Sequence, residues 1–95
     1  MGSKYAINFN IFYETTPGEE IYVIGSIKEL GMWKRLELKL FWNEGHIWRN
    51  KEPLLVNHDH FEYKYVKTDE GIDVSKGIDG FKSTFETGVN RIADL

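Results

Sequence analysis

Between Tyr5 and Tyr13 the chain alternates, with Tyr5, Ile7, Phe9, Ile11 and Tyr13 on one side and Ala6, Asn8, Asn10 and Phe12 on the other. A period of two is that of a half-buried strand, and here it predicts a single strand with Ile7, Phe9 and Ile11 turned inward. Thr16-Pro17-Gly18 ends it in a turn, because Pro17 presets φ and Gly18 tolerates a positive one. A second strand, Glu20 to Gly25, carries the unbroken apolar run Ile21 to Ile24. Ser26, Lys28 and Glu29 are too polar to prolong it. Gly31 lets the backbone turn, so that Trp33, between Met32 and Lys34, need not enter the core. Only Ile27 to Leu30 has room for a helical turn.

Leu36, Leu38 and Leu40 alternate with Glu37, Lys39 and Phe41 as a third strand, which Asn43-Glu44-Gly45 breaks. Ile47 to Val56 resumes with Trp48 and is interrupted at Pro53, a residue suited to a strand end or edge. After a tight polar turn at Asn57 to His60, the strand Phe61 to Val66 sets Phe61, Tyr63 and Tyr65 against Glu62, Lys64 and Val66. Lys67 to Gly80 is polar and reads as a loop or loose hairpin outside the core. Ser83 to Glu86 is a short strand, Gly88 turns it, and Ile92 to Leu95 begins a last one. Turn signals at intervals of roughly 8–12 residues predict an all-β, antiparallel, immunoglobulin-like sandwich of about seven to eight short strands.

At 95 residues the chain is long enough for one core and too short for two. Its net charge of −3, with both signs mixed along the sequence, offers no basic face for phosphates and argues against nucleic-acid binding. No apolar run approaches the roughly 18–20 residues of a membrane span. Cysteine is absent, as is any Asn-x-Ser/Thr acceptor, which leans towards a reducing, intracellular setting. Met1-Gly2-Ser3 reads as a cloning remnant, leaving residues 4–95 as one domain cut from a longer protein.

Aromatic residues make up 15% of the chain, including three Trp, enough to line a surface as well as fill a core. Three segments give them a context. The stretch from Gly18 to Trp33, GEEIYVIGSIKELGMW, resembles the opening strand, turn and LG-x-W element of the starch-binding carbohydrate-binding modules of family 20. Phe61-Glu62-Tyr63-Lys64-Tyr65 resembles the family's F-E-Y-K-F/Y strand, and Phe85-Glu86-x-Gly88-x-Asn90-Arg91 its W-E-x-x-x-N-R close. The three come in the family's order, and the resemblance as a whole extends from about Ile7 to Arg91.

The resemblance implies that Trp33 and Phe85 flank two sugar rings, that Lys64 and Asn90 donate to sugar hydroxyls, and that Glu86 accepts from one. A flat ring suits the task, since a glucan offers water-satisfied hydroxyls and only small apolar C–H faces. Phe85 stands where the family usually has Trp, which implies a site of reduced affinity. The family's second site uses two tyrosines and a tryptophan. Here Pro17 occupies the first tyrosine position, leaving Trp42 and Trp48 as candidates, with Trp48 read as core before platform. The implied partners are starch, glycogen, maltooligosaccharides or cyclodextrin, together with a covalently attached host domain. No cofactor is implied.

Two other readings stay open: a degenerate immunoglobulin-like scaffold that contacts another domain or protein, and a fragment of a catalytic domain. The fifteen acidic residues fall in no recognisable acid/base motif, and no nucleophile elbow or phosphate loop is present. His58-x-His60 lacks the further ligands a structural metal needs and reads as surface turn histidines, with His46 elsewhere in the sequence.

Overall fold

A computed structural model describes residues 4–95; Met1-Gly2-Ser3, read above as a cloning remnant, lies outside the described residues. The strands in chain order are β1 (Tyr5–Ile7), β2 (Asn10–Phe12), β3 (Glu19–Gly25), β4 (Leu38–Lys39), β5 (Phe41–Asn43), β6 (Ile47–Arg49), β7 (Leu54–Val56), β8 (His60–Asp69), β9 (Ser83–Phe85) and β10 (Arg91–Asp94). A 3-10 element, η1 (Lys28–Trp33), follows β3, and a shorter one, η2 (Ile78–Gly80), precedes β9. β3 and β8 pair antiparallel along the whole of β3, from Glu19↔Asp69 to Gly25↔Tyr63. β4 extends that sheet beside β3, while β10 and β9 share the far edge of β8. The order β2-β6-β5 makes a second sheet, and β1-β7 a two-stranded third.

Alternation along β3 and β8 buries both faces of the larger sheet. Ile21, Val23, Phe61 and Tyr65 face the main core, where they meet Phe9, Ile27, Leu30, Leu40, Trp48 and Val56. Tyr22, Ile24 and Val66 face the other way and form a smaller cluster with Leu36. Two covered faces are the reason Ile21 to Ile24 is apolar without interruption. The fold is the all-β antiparallel sandwich that the turn spacing implies, with the larger sheet packed through one face on the other two.

Three local expectations change. The predicted Tyr5 to Tyr13 strand is two strands in different sheets, because the Asn50 side chain accepts from the Phe9 N–H at 2.8 Å and donates to the Ile7 carbonyl at 3.1 Å. Those bonds replace ladder partners and let the chain pass from β7 to β6, while Phe9 stays buried and Ile7 and Ile11 still pack on the core. The Leu36 to Phe41 stretch also divides, into β4 and β5, and its leucines separate: Leu36 joins the outer cluster, whereas Leu38 and Leu40 join the main core. The Lys67 to Gly80 stretch, expected outside the core, first prolongs β8 to Asp69 and then folds back so that Ile72 and Ile78 pack on the outer cluster. The Ile78 N–H donates to the Lys34 carbonyl at 2.7 Å, fastening this loop beside Trp33.

Candidate functional site

Trp33 is carried by a backbone that few sequences tolerate. After the Leu30 N–H and Met32 N–H have both bonded the Ile27 carbonyl, Gly31, Met32 and Trp33 take φ values of 83°, 52° and 64°. The left-handed region suits glycine, but costs Met32 and Trp33 about 1–2 kcal/mol each. Such strain persists only where the surroundings over-determine it, and it concentrates at functional sites. Leu30, fully buried, and Leu36 anchor the two ends of the turn. The Trp33 ring is half-buried and rests on the outer cluster of Tyr22, Ile24, Leu36 and Val66.

Phe85 reaches the same cluster from the far edge of β8. Its register partner is Val66, whose partner in turn is Tyr22, so the three side chains lie in one row on the outer sheet face. Phe85 is also half-buried there. Lys64, opposite Ile24, is on that face one row along. The structure thus places Trp33, Lys64 and Phe85, far apart in sequence, on one side of the molecule.

The segment joining β9 to β10 is tied down residue by residue. The Lys64 ammonium donates to the carbonyls of Glu86, at 3.1 Å, and of Gly88. Two of its three N–H groups are thereby occupied. Asn90 donates to Glu62 Oε1 at 3.0 Å, with its amide oxygen outside that bond. Glu86 accepts from Arg91 Nε at 2.9 and 3.1 Å and from the Tyr65 N–H at 3.2 Å, so its carboxylate fastens the two strands together. The Arg91 guanidinium, hydrogen-bonded to Glu86, is held above its ordinary pKa and lies 5.1 Å from the Tyr65 ring centre. Burial, reinforced by the charge of Tyr63, pushes the Tyr65 hydroxyl up to about 12. Arg91 and Glu62, which sequence reasoning did not single out, are the partners that set Glu86 and Asn90. Val89, an apolar side chain 91% exposed, sits beside Asn90.

A cleft of about 300 Å³ lies elsewhere, lined by Thr15, Thr16, Pro17, Gly18, Glu19, Trp42, His46 and Trp48. Trp42 is 51% exposed, whereas Trp48, its partner across β5 and β6, is 5% exposed and donates its indole N–H to the Tyr13 carbonyl at 3.1 Å. Of the two readings open for Trp48, its packing is that of a core residue with an edge on the cleft. Pro17 also lines the cleft. His46 enters this cleft unannounced, the only sequence signal being its spacing from Trp42 across a hairpin turn. His58 and His60 face different carboxylates, Glu29 at 4.0 Å and Asp94 at 3.9 Å.

Residues 4–94 match the family described as Starch binding domain. The chain belongs to the starch-binding domain family. Over 89 residues, 93% of the chain, this starch-binding domain is 34% identical to an alpha-amylase of Streptomyces violaceus, of which it covers 14%. Its fold resembles a segment of the crystal structure of a gamma-CGTase from an alkalophilic Bacillus clarkii, with a TM-score of 0.74 at 22% identity over 95% of this chain and 13% of that one. At that identity the second likeness is one of fold. The starch-binding domain therefore spans only a small part of the length of both relatives.

Proposed function

We infer that this starch-binding domain is a non-catalytic module that holds α-glucan chains, of starch or glycogen, by stacking glucose rings on Trp33 and Phe85. What supports the reading is that both rings, from segments about fifty residues apart, rest half-buried on one patch of Tyr22, Ile24, Leu36 and Val66, with Lys64 on the same sheet face. Half-burial is useful to such a platform, since a ring already held costs less entropy to order on binding. A stacked sugar removes roughly 40–60 Å² of apolar surface, or about 1–1.5 kcal/mol per ring. The remaining Lys64 N–H and the Asn90 amide supply orientation through hydroxyls. Such weak contacts gain their effect by tethering, which raises the local concentration of polysaccharide around an attached domain. A host protein of glucan metabolism fits this role, given the small share of the amylase and the CGTase that the chain covers.

Glu86 takes a different part in this reading. Its oxygens are held by Arg91 and the Tyr65 N–H, so it sets the loop that carries Asn90 and is a weaker candidate for direct contact with sugar. The tethering of Lys64 to Glu86 and Gly88 is equally compatible with the scaffold alternative. Titration with β-cyclodextrin, followed by tryptophan fluorescence, separates the two. A saturable change that weakens about tenfold in Trp33→Ala is the expected result. A flat trace for the unaltered protein would leave the scaffold reading standing.

A further inference from the structure

We propose that His46 is a positioning residue for a second glucan platform at Trp42, acting by accepting the indole N–H and holding the ring beside the cleft. The inference rests on the reading of the domain as a glucan binder. Trp42 lies on β5, an edge strand paired among the described residues only with β6, and half of it is exposed. An exposed indole on an edge strand turns about two side-chain torsions unless something fixes it. Its Nε1 donates to His46 Nδ1 at 3.3 Å. The imidazole stands edge-on to the Trp42 ring at 5.9 Å between centres and to the Phe12 ring at 6.5 Å, and so is wedged between them.

The backbone fixes the imidazole in turn. His46 adopts φ 59°, next to Gly45 at 84°, in the turn between β5 and β6. Its carbonyl accepts from the Tyr13 N–H at 3.0 Å, and the Tyr13 carbonyl accepts the indole N–H of buried Trp48. The exposed platform is thereby linked through His46 and Tyr13 to a side chain packed in the core. Histidine is among the few non-glycine residues enriched at positive φ, and so meets both the backbone and the acceptor requirement.

Acceptance at Nδ1 has a protonation requirement. A neutral imidazole with its proton on Nε2 accepts at Nδ1, whereas imidazolium donates from both nitrogens and repels the indole N–H. Of the charged residues on the elements packed here, Glu19 shares the cleft lining with His46, Glu44 precedes it by two residues, Glu14 follows Tyr13 and Arg49 lies further along β6. Glu19 accepts from the Thr16 N–H and hydroxyl and pairs with Lys67 at 3.1 Å, and the Thr16 backbone bond, foremost, holds its carboxyl below the ordinary value. Glu19 therefore keeps its charge over the range, roughly pH 5 to 8, in which an imidazole changes its own.

The test uses the full chain and two readouts. In a 1H–15N spectrum, the indole resonance missing from Trp42→Ala is followed from pH 8 to 5; it should shift in one step in the unaltered protein and stay fixed in His46→Asn. Asparagine tolerates the left-handed backbone and places an amide oxygen near the Nδ1 position, without titrating. β-Cyclodextrin is then titrated into the double variant Trp33→Ala/Phe85→Ala, where both rings of the first platform are gone. Residual binding should fall about fivefold when His46→Leu is added, the size of one neutral hydrogen bond, and His46→Asn should restore it and remove its loss at pH 5.5. An indole resonance indifferent to pH, or a pH dependence that survives His46→Asn, overturns the role of His46 and leaves the platform intact. Residual binding unaffected by Trp42→Ala overturns the platform itself, and the Trp33 titration stands apart from both.

Discussion

The residues that present a ring to solvent are legible in sequence for a simple reason: polar neighbours and a glycine tell where a chain leaves its core. Trp33, after Gly31 and Met32, and Lys64, between two inward tyrosines, fall where alternation and turn chemistry place them. Glu86 and Asn90 were less legible, because the bonds that occupy them come from Arg91, Tyr65 and Glu62 and exist only once β8, β9 and β10 lie side by side. Phe85 gives the sharpest residue-scale prediction. If a sugar stacks on it, Phe85→Trp adds roughly 30 Å² of ring surface, or about 0.7 kcal/mol, and β-cyclodextrin binding should tighten about threefold by calorimetry. Unchanged affinity would mean that the ring at position 85 touches no ligand.

The decisive element is η1, and what holds it is the absence of a side chain at Gly25. A Cβ there would stand 2.6 Å from the Glu62 carbonyl oxygen and 2.8 Å from Leu30 Cδ1, contacts that backbone and a fully buried leucine cannot relax. Gly25→Ala should therefore lower stability by about 1–3 kcal/mol in urea unfolding and shift the Trp33 fluorescence maximum as the turn is displaced. A variant as stable as its parent would show that η1 is not locked against β3. The strands were read well where one face is buried and less well where the chain changes sheets. The split between β1 and β2 depends on Asn50, about forty residues away, and leaves no mark in the period-two pattern it interrupts. β8 outran its apolar run for a related reason: its last residues, Lys67 to Asp69, pair with β3 through backbone bonds that do not require apolar side chains.

For the molecule as a whole, burial of both faces of the β3–β8 pair sets a limit on the alkaline side. Burial, first, and the charges of Glu20 for Tyr22 and of Tyr63 for Tyr65, second, push both hydroxyls up to about 12. In the unfolded chain they ionise near 10, so their contribution to stability is complete below about pH 10 and is lost as the pH rises towards 12. Phenolate absorbance and denaturant unfolding, measured together from pH 8 to 12.5, should show a late ionising step that coincides with unfolding; a step that precedes unfolding would refute it. What the amino-acid sequence determined by itself was everything that depends on neighbours along the chain: short strands, their inward faces, the turns between them, and motifs specific enough to give the family. The tertiary structure alone decided which distant segments meet. Trp33 and Phe85 share one patch, Trp42 leans on His46, and Glu86 binds Arg91 because pairing along β8 and between β5 and β6 brings them together, and register between strands is a property of the whole sheet that no single stretch of sequence contains.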